Sequence, residues 1–286
     1  MSDPPRSITI FTHHFPQDTD DAVRKLIDVA CNRGVEVRVP PAETEKFGLD
    51  ERVGCVLGAD PEGPTDVAVV FGGDGTILSA LRATAAARAP VFAFNYGAIG
   101  FLSTIERDEL EAGIERVLAG EYDVLPMPAL EVEIGGERVI GVNDISFQRR
   151  ANSRVARLEY SVGAEQLGMV RCDGLVAATP VGSTGYNLAN GGPVLAWGVE
   201  GFVVSFIAPH TLTARALVVA PNDTLRVGNA SEREAVDVTT DGRPVGELGC
   251  GDSLELRFRD DQVLLAQIDG ATFYHRFRDK FGRLAY

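Results

Sequence analysis

The chain has 286 residues, 45% of them hydrophobic, and a formal net charge of −14 from 41 acids against 27 Lys and Arg. That balance argues against a nucleic-acid partner, which needs a basic surface, and no apolar run approaches the roughly 18 residues of a membrane helix. The acids are spread over the whole chain and only three lysines occur, Lys25, Lys46 and Lys280, a pattern expected of a surface adapted to a salt-loaded cytoplasm. The opening residues, Met1 to Arg6, lack the basic and apolar regions of a signal peptide. Cys31, Cys55, Cys172 and Cys250 are too scattered for metal or redox spacing, so free thiols in a reducing cytoplasm are expected.

In chain order, Ser7 to Phe11 alternates as a strand, and Asp18 to Asn32 reads as an amphipathic helix stopped by Gly34. Val35 to Val39 is a second strand, and Pro40 to Pro64 reads mostly as loop with short helical pieces. Val67 to Val70 is a buried strand, followed by a helix that opens at Thr76 and runs to about Ala87. Val91 to Asn95 is another strand, Tyr96 to Thr104 a glycine-containing loop, and Asp108 to Ala119 a helix closed by Gly120. This alternation predicts an α/β domain of Rossmann-like type over residues 1–122, with its ligand at the carboxyl ends of parallel strands.

From 123 to 270 the texture is that of an all-β, sandwich-like domain. Short strands are expected at 129–134, 137–142, 145–150, 157–162, 167–172, 201–207, 217–219, 224–227, 236–239, 253–258 and 264–268. Residues 271–286 form a C-terminal segment returning to the first domain, with a helix over Thr272 to Leu284. Phe273, Phe277 and Phe281, at spacing four, read as its core face.

Two stretches carry chemistry. Phe71-Gly72-Gly73-Asp74-Gly75-Thr76 joins a strand to a helix, and its glycines leave amide N–H groups uncovered beside a helix N-terminus, where phosphate binds without a basic side chain. Asp74 is out of place in a pure anion cradle and fits a hydroxyl that attacks phosphorus. The second stretch runs from Asp173 through Thr179-Pro180-Val181-Gly182-Ser183-Thr184-Gly185-Tyr186-Asn187 to Pro193. Here Ser183 or Thr184 is expected to cap a short helix, small hydroxyls suit a polar heterocycle, and Tyr186 offers a flat face. Asn143-Asp144, an amide beside a carboxylate at a strand start, suits a ribose diol or a base edge. His13 and His14 end the first strand near the ligand edge, and His210 reads as structural.

Taken together, these segments resemble the NAD kinase family from about Asp66 to Leu284. The family's Gly-Gly-Asp-Gly-Thr loop matches Gly72 to Thr76, and its Asn-x-Gly-x-x-Gly-Phe-Leu segment matches Asn95 to Leu102. Its Asn-Glu pair is similar to Asn143-Asp144, its Thr-Pro-x-Gly-Ser-Thr-Ala-Tyr signature to Thr179 through Tyr186, its Pro-His segment to Pro209-His210, and its late Asp-Gly to Asp241-Gly242. Val181 stands where a hydroxyl is usual, and Gly185 replaces alanine.

The resemblance implies a cytoplasmic homodimer or homotetramer that holds NAD between two domains and phosphorylates its adenosine 2′-hydroxyl with ATP. Magnesium is delivered with ATP and no protein metal site is expected. Asp74 is then the catalytic base that orients the hydroxyl and takes its proton. Gly72, Gly73, Gly75 and Thr76 hold phosphates, while Asn95, Asn143, Asp144, Thr184, Gly185, Tyr186 and Asn187 bind nucleotide, and Asp173 reaches the NAD of an adjacent subunit. The glycine loop alone also fits a lipid kinase of the diacylglycerol or sphingosine type. A dinucleotide sensor without catalysis is the reading from another class.

Overall fold

The computed structural model describes residues 2–50, 55–97, 100–151, 153–270 and 272–282. Ala98 and Ile99 of the predicted loop, and the end of the predicted last helix from residue 283, lie outside the described residues. The chain divides into two units, residues 1–126 with 263–286, and residues 127–262.

In the first unit, β1 (Ser7–Thr12), α1 (Asp20–Asn32), β2 (Glu36–Val39), α2 (Pro41–Phe47), β3 (Cys55–Leu57), β4 (Val67–Gly72), α3 (Asp74–Ala83), β5 (Val91–Asn95), β6 (Ile105–Glu106) and α4 (Leu110–Ala119) follow in order. The strands pair in parallel in the order β3-β2-β1-β4-β5, and β6 joins β5. Every residue of β4 is buried, as a central strand with both faces covered requires of Val-Ala-Val-Val-Phe-Gly. Ala22, Val23, Leu26, Ile27 and Ala30 form the buried face of α1, and Asp20 and Asp21 sit in its first turn, where acids suit the helix dipole. Phe71 and Phe94 stack with ring centroids 4.9 Å apart in the core. The order reverses direction between β1 and β4, so the loops after these strands face the crevice where α/β sheets bind ligands.

Two local expectations change. Between Pro40 and Pro64 the short helical piece expected there is α2 while β3 was not foreseen, and the helix after the glycine loop runs from Asp74 to Ala83 rather than from Thr76 to about Ala87, with Gly73 as its N-cap. Extended backbone at Gly73 (φ −94°, ψ −176°) turns the chain directly from strand into helix, so no separate loop intervenes.

The second unit contains most of β7 (Asp123–Ile134), then β8 (Glu137–Gly141), β9 (Asp144–Arg149), β10 (Ala156–Val162), β11 (Glu165–Cys172), β12 (Gly174–Ala178), α5 (Tyr186–Ala189), β13 (Phe202–Ile207), β14 (Leu217–Val219), β15 (Thr224–Asn229), β16 (Val236–Thr240), β17 (Arg243–Leu248) and most of β18 (Ser253–Gln267). One antiparallel sheet runs β14-β13-β12-β9-β16-β17, and β11-β10-β15-β18 forms the facing layer, with β7 paired to β8 and β18. Phe147, Leu158, Leu175, Phe202, Leu225 and Val238, each fully buried, fill the space between the layers. Burying side chains of this size contributes about 1.5–3 kcal/mol each.

Three β-domain expectations are corrected. The strands foreseen at 253–258 and 264–268 are one continuous strand, β18, kinked at Asp261, whose φ is +52°. β17 was not expected, because Pro244 and Gly246 weaken a strand reading, but it pairs with β16 at the sheet edge, where proline is tolerated. Ser183 and Thr184 do not cap α5. Gly185 occupies its N-cap without a side-chain bond, and the Ser183 hydroxyl instead donates to the Pro180 carbonyl.

From Val263 the chain belongs to the first unit again. Leu265 of β18 pairs in parallel with Val91 of β5, and α6 (Phe273–Phe281) follows, capped by the Thr272 side chain, which accepts from the His275 amide at 3.2 Å. Phe273 and Phe281 pack against the Phe101 ring, at 6.5 and 5.9 Å between centroids.

Candidate active site

In the first unit the site is built at the ends of β4 and β5. Gly72 ends β4, and a Cβ there would stand 2.6 Å from the Thr76 hydroxyl, which makes the turn close-packed. Gly73 meets Gly97 backbone to backbone, and a Cβ on Gly97 would approach the Gly73 Cα to 2.7 Å. Only glycines allow the two loops to lie this close. Gly75 is exposed at the first turn of α3, with its amide at the positive end of the helix.

Asp74, half-buried, turns its carboxylate away from its own helix. Oδ2 accepts from the Phe101 amide at 3.0 Å and Oδ1 from the Leu102 amide at 3.1 Å. A carboxylate has about four lone-pair positions, so each oxygen keeps capacity for a further donor. Asn95, buried at the end of β5, organises the same loop: its Nδ2 donates to Glu106 at 2.9 Å and its Oδ1 accepts from the Gly97 amide at 3.0 Å. A Cβ on Gly100, whose φ is +61°, would overlap the Asn95 side chain. Behind this loop lies Arg276 of α6, 8% exposed, with Nη1 donating to the Phe101 carbonyl at 3.0 Å and Nη2 to Gln267 at 2.6 Å. Burial draws its guanidinium below the ordinary value, while Asp74 and Glu106 pull it back up. His13 and His14 follow β1 at the same sheet edge, half-buried and exposed, and the His13 amide donates to the Phe71 carbonyl.

In the second unit three strand ends gather. Asp144 opens β9 opposite Ala178 at the end of β12, and Thr240 at the end of β16 flanks Ile145. Asp241 and Gly242, with φ of +47° and +74°, make the hairpin turn that follows. The Asp241 carboxylate accepts from three successive amides, those of Val142 at 3.2 Å, Asn143 at 2.6 Å and Asp144 at 3.2 Å. Asp144 is 6% exposed, and burial followed by repulsion from Asp241 pushes its carboxyl up to about 7.

The buried Thr179 hydroxyl donates to the Val142 carbonyl at 2.7 Å, and Gly182 lies so near Asn143 that a Cβ would overlap its carbonyl. Asn143 Oδ1 is buried without a hydrogen-bond partner among the described residues. Thr184 and Tyr186 are half-buried and Gly185 exposed, next to Asn143. Burial, then Asp144 and Asp173, raise the Tyr186 phenol. Asn187 is fully buried, and its Nδ2 donates to the Ser183 and Pro193 carbonyls, both at 2.9 Å, so its amide braces the turn. Asp173 stands at the opposite end of β12, paired with Arg149 at 2.6 Å, and that guanidinium holds its carboxyl below the ordinary range.

The first unit thus offers an exposed glycine turn at Gly75 and one acid, and the second a polar cluster in which the side-chain oxygens of Asn143 and Asn187 have no partner among the described residues. Comparison with known proteins gives these parts a context. Residues 56–122 match the ATP-NAD kinase N-terminal domain and residues 142–267 the ATP-NAD kinase C-terminal domain. An NAD kinase of Thermoanaerobacter sp. is 32% identical over 271 residues, covering 90% of this chain and 95% of its own. The chain belongs to the NAD kinase family. Among solved structures, yeast NADH kinase complexed with NADH matches with a TM-score of 0.85 at 23% identity, over 98% of this chain and 88% of its own. An NAD kinase from Archaeoglobus fulgidus in complex with ATP matches with a TM-score of 0.72 at 23% identity, over 98% of both chains. These two likenesses establish the fold.

Against the NAD kinase pattern, Val181 places an apolar side chain, 4% exposed, where a hydroxyl is usual, and it contributes only its carbonyl, which accepts from Thr184 at 3.2 Å. Four contributors were not named as site residues in the sequence: Phe101 and Leu102, through their amides, Asp241 and Arg276. Phe101-Leu102 and Asp241-Gly242 lie in segments that already resembled the family, and the Asp-Gly pair also marks a hairpin, whereas no sequence signal pointed to Arg276.

Proposed function

We propose that this NAD kinase transfers the γ-phosphoryl group of ATP to the 2′-hydroxyl of the adenosine ribose of NAD, with Asp74 receiving the hydroxyl proton. The ribose oxygen forms a bond to phosphorus, the bond from phosphorus to the bridging oxygen breaks, and ADP leaves with that electron pair. Phosphoryl transfer has a loose transition state, so positioning and charge neutralisation carry most of the catalysis. The single observation that carries the reading is the Asp74 carboxylate, held by two amides in one orientation with lone pairs to spare.

Gly72, Gly73, Gly75 and Thr76 form the turn that receives the donor phosphates, with the Thr76 amide itself donating to the Gly73 carbonyl at 2.9 Å, and magnesium arrives with ATP as part of that substrate. In the second unit Asn143, through its unpartnered oxygen, and Asp144 bind the ribose or base, with Thr184, Gly185 and Tyr186 on the adenine side. Asn95 and Asn187 hold the two loops in shape. Asp173 is reserved for a second subunit's dinucleotide. A homodimer or homotetramer is supported by exposed Leu217 and Val218 on the edge strand β14 and by Leu212, 92% exposed, before it. Four free thiols support a reducing, cytoplasmic setting, and the charge of −14 supports assay in high salt.

The deciding test is NADP formation from NAD and ATP-magnesium in high salt, with wild type and Asp74→Asn. The expected result is NADP from the wild type and a loss of about a thousandfold or more in the variant, within the range of a positioned acid–base group and its alignment. An Asp74→Asn enzyme with wild-type turnover would remove Asp74 from the reaction.

A further inference from the structure

We infer that Arg276 is a positioning residue for phosphoryl transfer, acting from α6 through the Phe101–Leu102 peptide on the Asp74 carboxylate. The inference rests on the role proposed for Asp74. The carbonyl of Phe101 and the amide of Leu102 are opposite ends of one planar peptide group. Arg276 Nη1 donates to that carbonyl at 3.0 Å, and the same peptide's N–H donates to Asp74 Oδ1 at 3.1 Å. A cation on the oxygen polarises the N–H toward the carboxylate and opposes rotation of the plane. The neighbouring amide, of Phe101 itself, donates to Oδ2 at 3.0 Å, so fixing this short segment fixes both oxygens.

Several features oppose a purely structural reading. A guanidinium only 8% exposed is costly to desolvate, and an apolar side chain of similar volume would fill the space at less cost. The aromatic faces of α6 already anchor the helix, since Phe273 and Phe281 flank the Phe101 ring. The second arm of the guanidinium is held by Gln267, itself 8% exposed, at 2.6 Å, so the direction of the first arm is set from behind. Gln267 is in turn placed by the end of β18, where Thr104 donates to the Ala266 carbonyl at 2.9 Å and accepts from the Ala93 amide at 3.0 Å. A chain of fixed groups therefore runs from the sheet through Arg276 to one carboxylate.

The test compares the full-length wild type with Arg276→Met, Arg276→Lys, Asp74→Asn and the Arg276→Met/Asp74→Asn double variant. Turnover, both KM values and the thermal midpoint are measured for each. Arg276→Met is expected to lower kcat about a hundredfold, the scale of a small misplacement of a reacting group, with each KM changed less than threefold. Arg276→Lys, which retains the charge, is expected to recover about tenfold of that loss. In the Asp74→Asn background, removing the guanidinium should cost less than a further twofold, because the group it positions is already gone. Full additivity in the double variant, or a loss confined to KM or to thermal stability, would overturn the inference in favour of a strut for α6. If Arg276→Met does not fold, a lysine variant with wild-type kcat overturns it equally. Wild-type turnover in Asp74→Asn would instead sink the Asp74 reading, a separate outcome.

Discussion

Asp74 in the first unit and Asp144 in the second both stand at strand ends beside backbone amides, but the amides are used differently. Around Asp74, two N–H groups from a neighbouring loop point at the acid itself. Around Asp144, three N–H groups point past it at Asp241, and Asp144 is left buried next to a negative neighbour. For Asp144, burial and a like charge favour the protonated form. The same residue type thus takes two roles: a fixed acceptor in one loop, and in the other a group that can donate as well as accept near neutral pH.

Glycine substitutions offer the strongest ways to break this contrast. Gly97→Ala puts a methyl group 2.7 Å from the Gly73 Cα, pushing the loops around Asp74 apart. The expected effect is a kcat loss of about a hundredfold with little change in the KM for NAD, measured by steady-state kinetics. Gly182→Ala drives a methyl group into the Asn143 carbonyl of the second unit. Here the KM for NAD should rise about tenfold, and stability should fall by roughly 1–3 kcal/mol, the usual cost of overpacking, read from denaturant unfolding. If both substitutions changed the same kinetic constant, the division of labour between the loops would be wrong.

The smallest effect concerns pH. The folded-state value of Asp144, about 7, lies above its ordinary value of 3.8, so the folded protein binds this proton more tightly than the unfolded chain. Its contribution to stability is therefore fully present below the ordinary value and is lost as pH rises toward 7. Asp144→Asn should flatten the fall in thermal midpoint between about pH 4 and pH 7 relative to wild type. Equal slopes for the two proteins would show that Asp144 does not titrate in this window.

Much of the α/β unit was legible because its signals are local. Val67 to Phe71 is apolar without interruption, α1 repeats its apolar residues at helical spacing, and glycines punctuate the turns. The glycine loop and Asn143-Asp144 were readable as chemistry for the same reason, since each motif lies within a few consecutive residues. The supporting parts were not. Arg276 and Phe101 are 175 positions apart, and nothing about an arginine in a helix shows which carbonyl it will meet. Asp241 and the Asp144 amide, 97 apart, are joined only when β16 lands beside β9. The β domain was blurred where exceptions to strand chemistry occur, at Pro244 and Gly246 in β17 and at the Asp260-Asp261 kink in β18.

The return of the chain at Val263 also has a bearing on synthesis. A ribosome releases residues in order, so the glycine loop, Asp74 and both nucleoside-side segments emerge before β18 is complete and before α6 exists. Until then, the first unit lacks the strand end that pairs with Val91 and the aromatic rings that flank Phe101. A chain that stops before β18 therefore carries every one of these motifs while the Phe101–Leu102 segment has no support from α6. The groups that back the Phe101–Leu102 segment, the α6 rings and the Arg276 guanidinium, are thus the last of these parts to emerge.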